Sequence, residues 1–372
     1  MLKYRIRPLD PLISRDARQF GAGSPMHSLN WLTNTVIAGA VRTVMWKESE
    51  NPDSRDTLEA LKKIPVKGSF PVLDGRIYFP RPLDIIKSIN AIYQIRPGEF
   101  PEDSGANMPI DGLMPSLPDA EEDFKPEKLS AFWEKDMMIR WLMHGKNDFT
   151  LKTECTLSAP AQDERVHASI DTLTGTATDG KLFSTTGLDF IHKNRNDKTF
   201  EPNRFSQEEI SVDINDMNLP ARFIAPVGGE RRLAEFSRHD EDNALWECPE
   251  ELPEIIEGNL RLVLASPAIF INHGWIPEWI DATTLTGIIP NTNVTMKLVS
   301  AVTERWQPVS GWFYERGNTG HKPMRRAVPA GSVYFFRIMS GTLETKSVWL
   351  KSICTDEQNI NDGFGLVLAG KW

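Results

Sequence analysis

Cysteine is scarce in this chain. Cys155, Cys248 and Cys354 stand far apart and form no C-x-x-C pair, which excludes a disulfide framework and a zinc ribbon. No run of about eighteen apolar residues occurs, so no membrane-spanning helix is expected. The N-terminus, MLKYRIRPLD, lacks the apolar core of a secretory signal, and a cytoplasmic location is the natural expectation. Histidines are scattered singly (His27, His144, His167, His192, His239, His273 and His321), with no H-E-x-x-H and no close acid–histidine pair. Metal ligation therefore has no sequence support. Neither a G-x-S-x-G elbow nor a cysteine–histidine signature is present. Gly365-x-x-x-x-Gly370-Lys371 matches most of a P-loop. Trp372 follows where the motif needs Ser or Thr and the start of a helix, so the stretch reads as a glycine-rich strand or turn. No cofactor and no enzyme chemistry are expected.

The rest of the composition is that of a soluble globular protein, with 40% apolar and 25% charged residues over 372 positions, enough for two or three domains. The net charge of −9 argues against a generic nucleic-acid binder, but the average hides segregation. Residues 1–47 are net +5, residues 297–351 net +6 and residues 98–136 net −8. Local basic patches on an acidic protein are implied.

The two basic regions share a pattern. RPLDPLISRDARQFGAG (7–23) follows a strand-like start, LKYRIR, and Pro8 and Pro11 keep it from being a helix. SLNWLTNTVIAGAVRTVMWKE comes next, with Thr33 or Asn34 as N-cap and Val36, Ile37, Ala40, Val41 and Val44 at helical spacing. The unit is strand, long loop, helix. The second region, HKPMRRAVPAGSVYFF, feeds a basic loop into an apolar strand through a turn at Pro329 and Gly331. Two readings stand for it: a solvated hairpin loop, or phosphate contact by Lys322, Arg325, Arg326 and freed backbone amides. Trp275, Trp279 and Trp312 fall near loops, and two readings stand for them: stacking of some on bases, or packing between subunits.

Between these ends, Asp74-Gly75 predicts a hairpin turn, 96–126 an irregular acidic excursion, 129–145 an amphipathic helix and 165–190 two strands around a polar turn. Each half opens on a strand plus irregular loop and ends on a glycine-rich strand, VGGERRLAEF in one and GFGLVLAGKW in the other. The pattern predicts an α+β protein with antiparallel sheets and inserted loops, built from two related halves. The expected partition is an N-terminal domain at 1–240, a linker at 241–258 and a C-terminal domain at 259–372.

Four stretches carry a resemblance: RPLDPLISRDARQFGAG with SLNWLTNTVIAGAVRT, GWFYERGNTGHKPMRRAVPAGSVYFF, ASIDTLTGTATDGKLFSTTGLDF and GFGLVLAGKW. Together they resemble the third-subunit family of the Cmr complex, the type III-B CRISPR effector. The resemblance implies a RAMP-superfamily protein with two ferredoxin-like (RRM-like) domains. It implies a non-catalytic subunit that caps the 5′ handle of the CRISPR RNA (crRNA). The expected partners are that handle, the large polymerase-like subunit and the backbone RAMP subunit, with no DNA contact of its own and no membrane. Charge and motif position then nominate an RNA-facing set: Arg15, Arg18, Gly21, Gly23, His27, Arg42, Arg231, Arg232, Lys322, Arg325, Arg326, Ser332, Gly363 and Gly365. Asp10 and Asp16 are expected to brace the arginines. The rival readings are a RAMP endoribonuclease using His27, the equivalent subunit of a type III-A complex, or a protein-interaction subunit without RNA contact.

Overall fold

A computed structural model describes residues 2–15, 28–100, 102–103, 105–120, 123–147, 149–193, 205–214, 219–270, 274–315 and 318–372. The chain forms two compact units that are interleaved rather than consecutive. The first comprises residues 1–75, 159–242 and 308–325, the second 76–158, 243–307 and 326–372. Among the described residues no helix is long and apolar enough to cross a membrane.

The first unit is built on strands β1 (Leu2–Pro8), β2 (Val66–Leu73), β3 (Glu209–Ile214), β4 (Arg222–Pro226) and β5 (Leu233–Arg238). They pair antiparallel in the order β4-β5-β1-β3-β2. Leaving out the edge strand β4, the four others lie in the order fourth, first, third, second. Helix α1 (Asn34–Glu48) follows β1 and covers one face. Period-2 alternation in β1 explains the layering. Leu2, Tyr4 and Ile6 enter the core with Ile37, Val41, Val212 and Phe236. Lys3, Arg5 and Arg7 point to the opposite face, where each meets a carboxylate. Lys3 pairs with Asp213 at 3.0 Å, Arg5 with Asp242 at 2.8 Å and Glu209 at 3.2 Å, and Glu235 takes both Arg7 and Arg222. That face is an ion-pair lattice.

The second unit repeats the sheet with β6 (Asn259–Leu264), β7 (Thr286–Ile288), β8 (Thr295–Val302), β9 (Val333–Ser340) and β10 (Val367–Gly370), in the order β7-β8-β9-β6-β10, all antiparallel. Without β7 the order is again fourth, first, third, second. No described helix follows the first strand here. A helix from the inserted segment, Lys135–His144, packs on the sheet instead. A Cβ on Gly370 would sit 2.5 Å from the Leu142 carbonyl oxygen, so only glycine permits that approach. The expected helix over 129–145 starts later than its periodicity suggests, because Phe132–Glu134 is a strand. Fully buried Arg261 on β6 fixes the helix: Nη1 donates to Asp84 at 2.6 Å and Nη2 to the Trp141 carbonyl, while Trp141 Nε1 donates to Asp84 at 2.8 Å.

The stretch expected as a linker is built into the second unit. Trp246, Leu252 and Ile256 are buried. Lys135 Nζ donates to the carbonyls of Ala244 and Leu245 at 3.1 Å and Glu247 at 3.0 Å, and Trp349 Nε1 donates to the Trp246 carbonyl at 3.1 Å. The turn at Asp74-Gly75 has the positive φ at both positions (50° and 75°) that its sequence predicts. The two expected strands after residue 160 are Ala161–Ile170 and Ala177–Asp189, joined by the polar turn at Asp171.

Candidate nucleic-acid interface

The loop that leaves β1 is held at its root. Leu12 exchanges both backbone hydrogen bonds with Leu188, at 3.0 and 2.7 Å. Ile13 bridges to Gly228, and Gly229 N–H donates to the Ile13 carbonyl at 2.9 Å. Ser14, fully buried, accepts the Leu29 amide on its carbonyl at 2.8 Å and the Thr33 amide on Oγ at 3.2 Å. Arg15 bridges to Ser28. Thr33 is the N-cap of α1, and Thr35 in the first turn donates to the Ser310 carbonyl at 3.4 Å. Ser310 Oγ donates to the Lys322 carbonyl at 2.9 Å, and Lys322 N–H to the Gly311 carbonyl at 2.8 Å. Three segments separated by up to about three hundred positions thus meet at the end of the first sheet where β1 stops and α1 begins.

The glycine loop at this junction has unusual backbone. Gly228 lies at φ 77°, and a Cβ there would sit 2.2 Å from the Ile13 carbonyl oxygen. Glu230 and Arg231 follow at φ 56° and 51°, left-handed conformations that cost an L-residue about 1–2 kcal/mol each. Gly228, Glu230 and Arg231 are exposed and Arg232 is half-buried. The loop presents exposed backbone beside two arginines, while the Gly229 N–H is spent on the Ile13 carbonyl and the Arg232 N–H on the Gly229 carbonyl. Asp10 accepts the Leu233 amide at 3.1 Å and so braces the strand that leaves this loop.

The nominated residues divide. Arg15, Arg231 and Arg232 lie within a few residues of the backbone contacts between Ile13 and Gly228–Gly229, and Lys322 is tied to the first turn of α1 through Ser310. Arg18, Gly21, Gly23, His27 and Asp16 lie outside the described residues. Arg42 sits well along α1 and donates to the Ile64 carbonyl at 2.9 Å, tying the helix to the chain before β2. Arg325 is half-buried in the first unit. Arg326 belongs to the second unit, with its guanidinium 4.8 Å from the Trp306 ring. Ser332, Gly363 and Gly365 are corrections to the nominated surface, because all three are buried. The Ser332 carbonyl accepts the Leu264 amide at 2.8 Å, and the Gly365 amide donates to the Pro267 carbonyl at 2.8 Å. The charge motif could not distinguish a turn that feeds a buried strand from one facing solvent. Ile13, Ser14, Gly228 and Ser310 were missed as site-builders, and only the double glycine at 228–229 gave a signal.

The electrostatics agree with this division. The first unit holds 24 Lys/Arg and 25 Asp/Glu, net −1, and the second 18 and 26, net −8. The acidity of the chain therefore resides in the second unit. Among the described residues one histidine–carboxylate group, His239, Glu241 and Asp242, has ligand atoms within 4.8 Å. Both Asp242 oxygens already bond Arg5, at 2.9 and 2.8 Å, and hold its guanidinium above its ordinary pKa. His239 Nδ1 lies 2.7 Å from Glu241, a close acid–histidine pair that corrects the expectation of none. These contacts account for the group as a terminus of the ion-pair lattice. The second unit has a 370 Å³ cleft lined by Arg76, Glu134, Asp136, Arg140, Lys152 and Cys155 among others. Burial pushes the Cys155 thiol pKa up, with Glu134 adding to the effect, which disfavours a reactive thiolate.

Residues 4–372 match the CRISPR-associated protein family Cas_Cmr3. The chain belongs to this family. The resemblance carried by the end motifs is borne out over essentially the whole length, and the Cas_Cmr3 assignment makes the chain a CRISPR-associated subunit of the type III-B Cmr system. Solved structures similar to it include a chain of the type III-B Cmr-beta complex bound to cognate target RNA and AMPPnP. That chain is 15% identical, with 90% of this chain and 86% of that one covered and a TM-score of 0.49. The same complex bound to cognate target RNA gives 16% identity, the same coverage and the same TM-score. A chain of the Csm3–Csm4 subcomplex of the type III-A CRISPR-Cas interference complex gives 11%, 92% and 94% coverage and a TM-score of 0.33. No curated protein matches the chain.

Proposed function

We propose that this Cas_Cmr3 protein is the RNA-end-holding subunit of its effector, and that it grips the 5′ handle of the crRNA with the loop junction of the first unit. The observation that carries this reading is the meeting of the Ile13–Arg15 root with the Gly228–Arg232 loop, beside a first turn of α1 that is tied through Ser310 to Lys322. A few cations at one point suit a strand end rather than a long duplex. The two sheets, with strand order fourth-first-third-second, are taken as ferredoxin-like units. One keeps its first helix and the other borrows a helix from the insertion. The second unit, net −8, is the face offered to protein neighbours, the large polymerase-like subunit and the backbone subunit, since it would repel RNA. The subunit is taken to be non-catalytic and cytoplasmic. Repeat-RNA cleavage by the wild type that His27→Ala abolishes without unfolding would overturn the non-catalytic assignment.

The test of the handle site is guide affinity at several salt concentrations, with and without the handle, for wild type and an Arg15→Ala/Lys322→Ala variant. Each phosphate contact contributes a log–log slope of about −0.7. The double variant is expected to flatten the slope by about 1.4 on the handled guide and much less on the guide lacking it. Equal losses on both RNAs would reduce the junction to a general basic surface. No loss on either would assign its charges to a protein partner.

A further inference from the structure

The hairpin Trp312–Glu315/Asn318–His321 springs from the same junction, through the bonds of Ser310 to Thr35 and Lys322. Trp312 is 58% exposed, unusual for so large an apolar side chain. It stands directly across the ribbon from His321, with ring centroids 4.7 Å apart and planes at 77°. The contact is edge-to-face, so the indole is propped by its cross-strand neighbour. Phe313, on the other face, lies over Gly320, where a Cβ would be 3.1 Å from its ring, and stiffens the ribbon from behind. Residues 308–325 carry three cations and one carboxylate. An exposed indole propped on a two-stranded ribbon, in a segment of net positive charge, suits an unpaired base of a polyanion.

We infer that Trp312 is a base-stacking platform for one unpaired nucleotide of the bound RNA, with His321 as its positioning partner. This rests on the handle-binding reading above and adds a specificity element to it. The local positive charge favours a polyanion over an apolar protein pocket as the occupant.

The test uses the full chain and synthetic guides with 2-aminopurine at successive handle positions, whose fluorescence falls when the base stacks. One position, or two adjacent ones, should be quenched on binding. Trp312→Ala should restore that fluorescence and weaken handled-guide affinity about tenfold. Trp312→Phe should keep most of both, and His321→Ala should reduce the quench without changing the salt slope. Thermal unfolding serves as the fold control. Unchanged quenching in Trp312→Ala overturns the platform. If the Arg15→Ala/Lys322→Ala variant still loses handle affinity, the handle reading survives that failure. If removing the handle leaves wild-type affinity unchanged, both fall. Loss of a purified partner subunit in Trp312→Ala, with guide binding intact, also overturns the platform and makes the indole a protein contact.

Discussion

Two glycine loops occupy the same place in the two units and do opposite things. Each enters the last strand of a fourth-first-third-second sheet, and each donates a glycine amide to the loop leaving the first strand: Gly229 to Ile13 at 2.9 Å, Gly365 to Pro267 at 2.8 Å. Each uses a left-handed glycine, Gly228 at φ 77° and Gly365 at φ 73°. The first then turns outward through Glu230 and Arg231. The second turns inward through Phe364 and Leu366, both fully buried. Its carbonyls and amides are consumed: Ser266 Oγ donates to Gly363 at 2.8 Å and accepts from Leu366 at 2.9 Å, and Ser352 Oγ donates to Phe364 at 2.6 Å. The same backbone device therefore serves a surface in one unit and a core in the other. A glycine loop marks a close backbone approach, and its neighbours decide what approaches.

The largest effect that tests this contrast lies on the buried side. Asp84→Ala strands the guanidinium of Arg261 in the core of the second unit and is expected to cost about 3–5 kcal/mol. Denaturant unfolding measures the loss. Native-state hydrogen exchange should show it in β6 and β10 and leave the first glycine loop unaffected.

Next is Gly365→Ala. The new Cβ meets Cys354 Sγ at 2.6 Å in a left-handed conformation, a combination of overpacking and strain worth about 2–3 kcal/mol. Burial pushes the Cys354 thiol pKa up to about 12, so the wild type should resist alkylation there at pH 8. The variant should label at Cys354 faster. Unchanged stability and labelling would show that the loop does not close on Cys354 as described.

On the exposed side, Arg231→Ala with Arg232→Ala should leave stability within about 0.5 kcal/mol and flatten the guide salt slope by about 1.4. A stability loss as large as that of Gly365→Ala would erase the distinction between the loops.

The smallest effect is on pH. Arg222, then Arg7, hold the Glu235 carboxyl below the usual glutamate range on the strand that leaves the exposed loop. Because the folded pKa is depressed, the contribution is complete above about pH 4.3 and is lost as pH falls through the lowered value. Glu235→Gln should remove that part of the acid limb of a stability-versus-pH curve. An identical limb in the variant would assign acid sensitivity to other pairs.

The fold was legible wherever periodicity was local. β1 and α1 follow their alternation and helical spacing, and the glycine-rich ends predicted the repeat that both sheets display. What escaped was non-local. No window of sequence shows that Lys135–His144 packs on a strand beginning at Asn259, or that 241–258 is fastened by a lysine a hundred residues upstream. The site was half legible for the same reason. Arg15 and Lys322 announce themselves by charge, while the buried Ser14 that organises their approach looks like any serine. Ser332 and Gly365 misled because a turn motif carries no sign of which side meets water.

The interleaving of the units also sets a timetable for synthesis. The Asp84 carboxylate and the Trp141 helix are made long before the strand that neutralises and covers them. Arg261 emerges 177 residues after Asp84, about 10–35 s later at ordinary translation rates of roughly 5–20 residues per second. Throughout that interval the nascent second unit exposes an apolar helix face and an unpaired acid. The first unit, whose sheet is complete at Arg238, still waits for the hairpin that Thr35 anchors through Ser310, 275 positions away. Neither half can be released early as a finished domain. Cutting the chain at the 242/243 boundary should yield two fragments that each lack part of both folds, so this subunit is suited to being made and assembled as one piece.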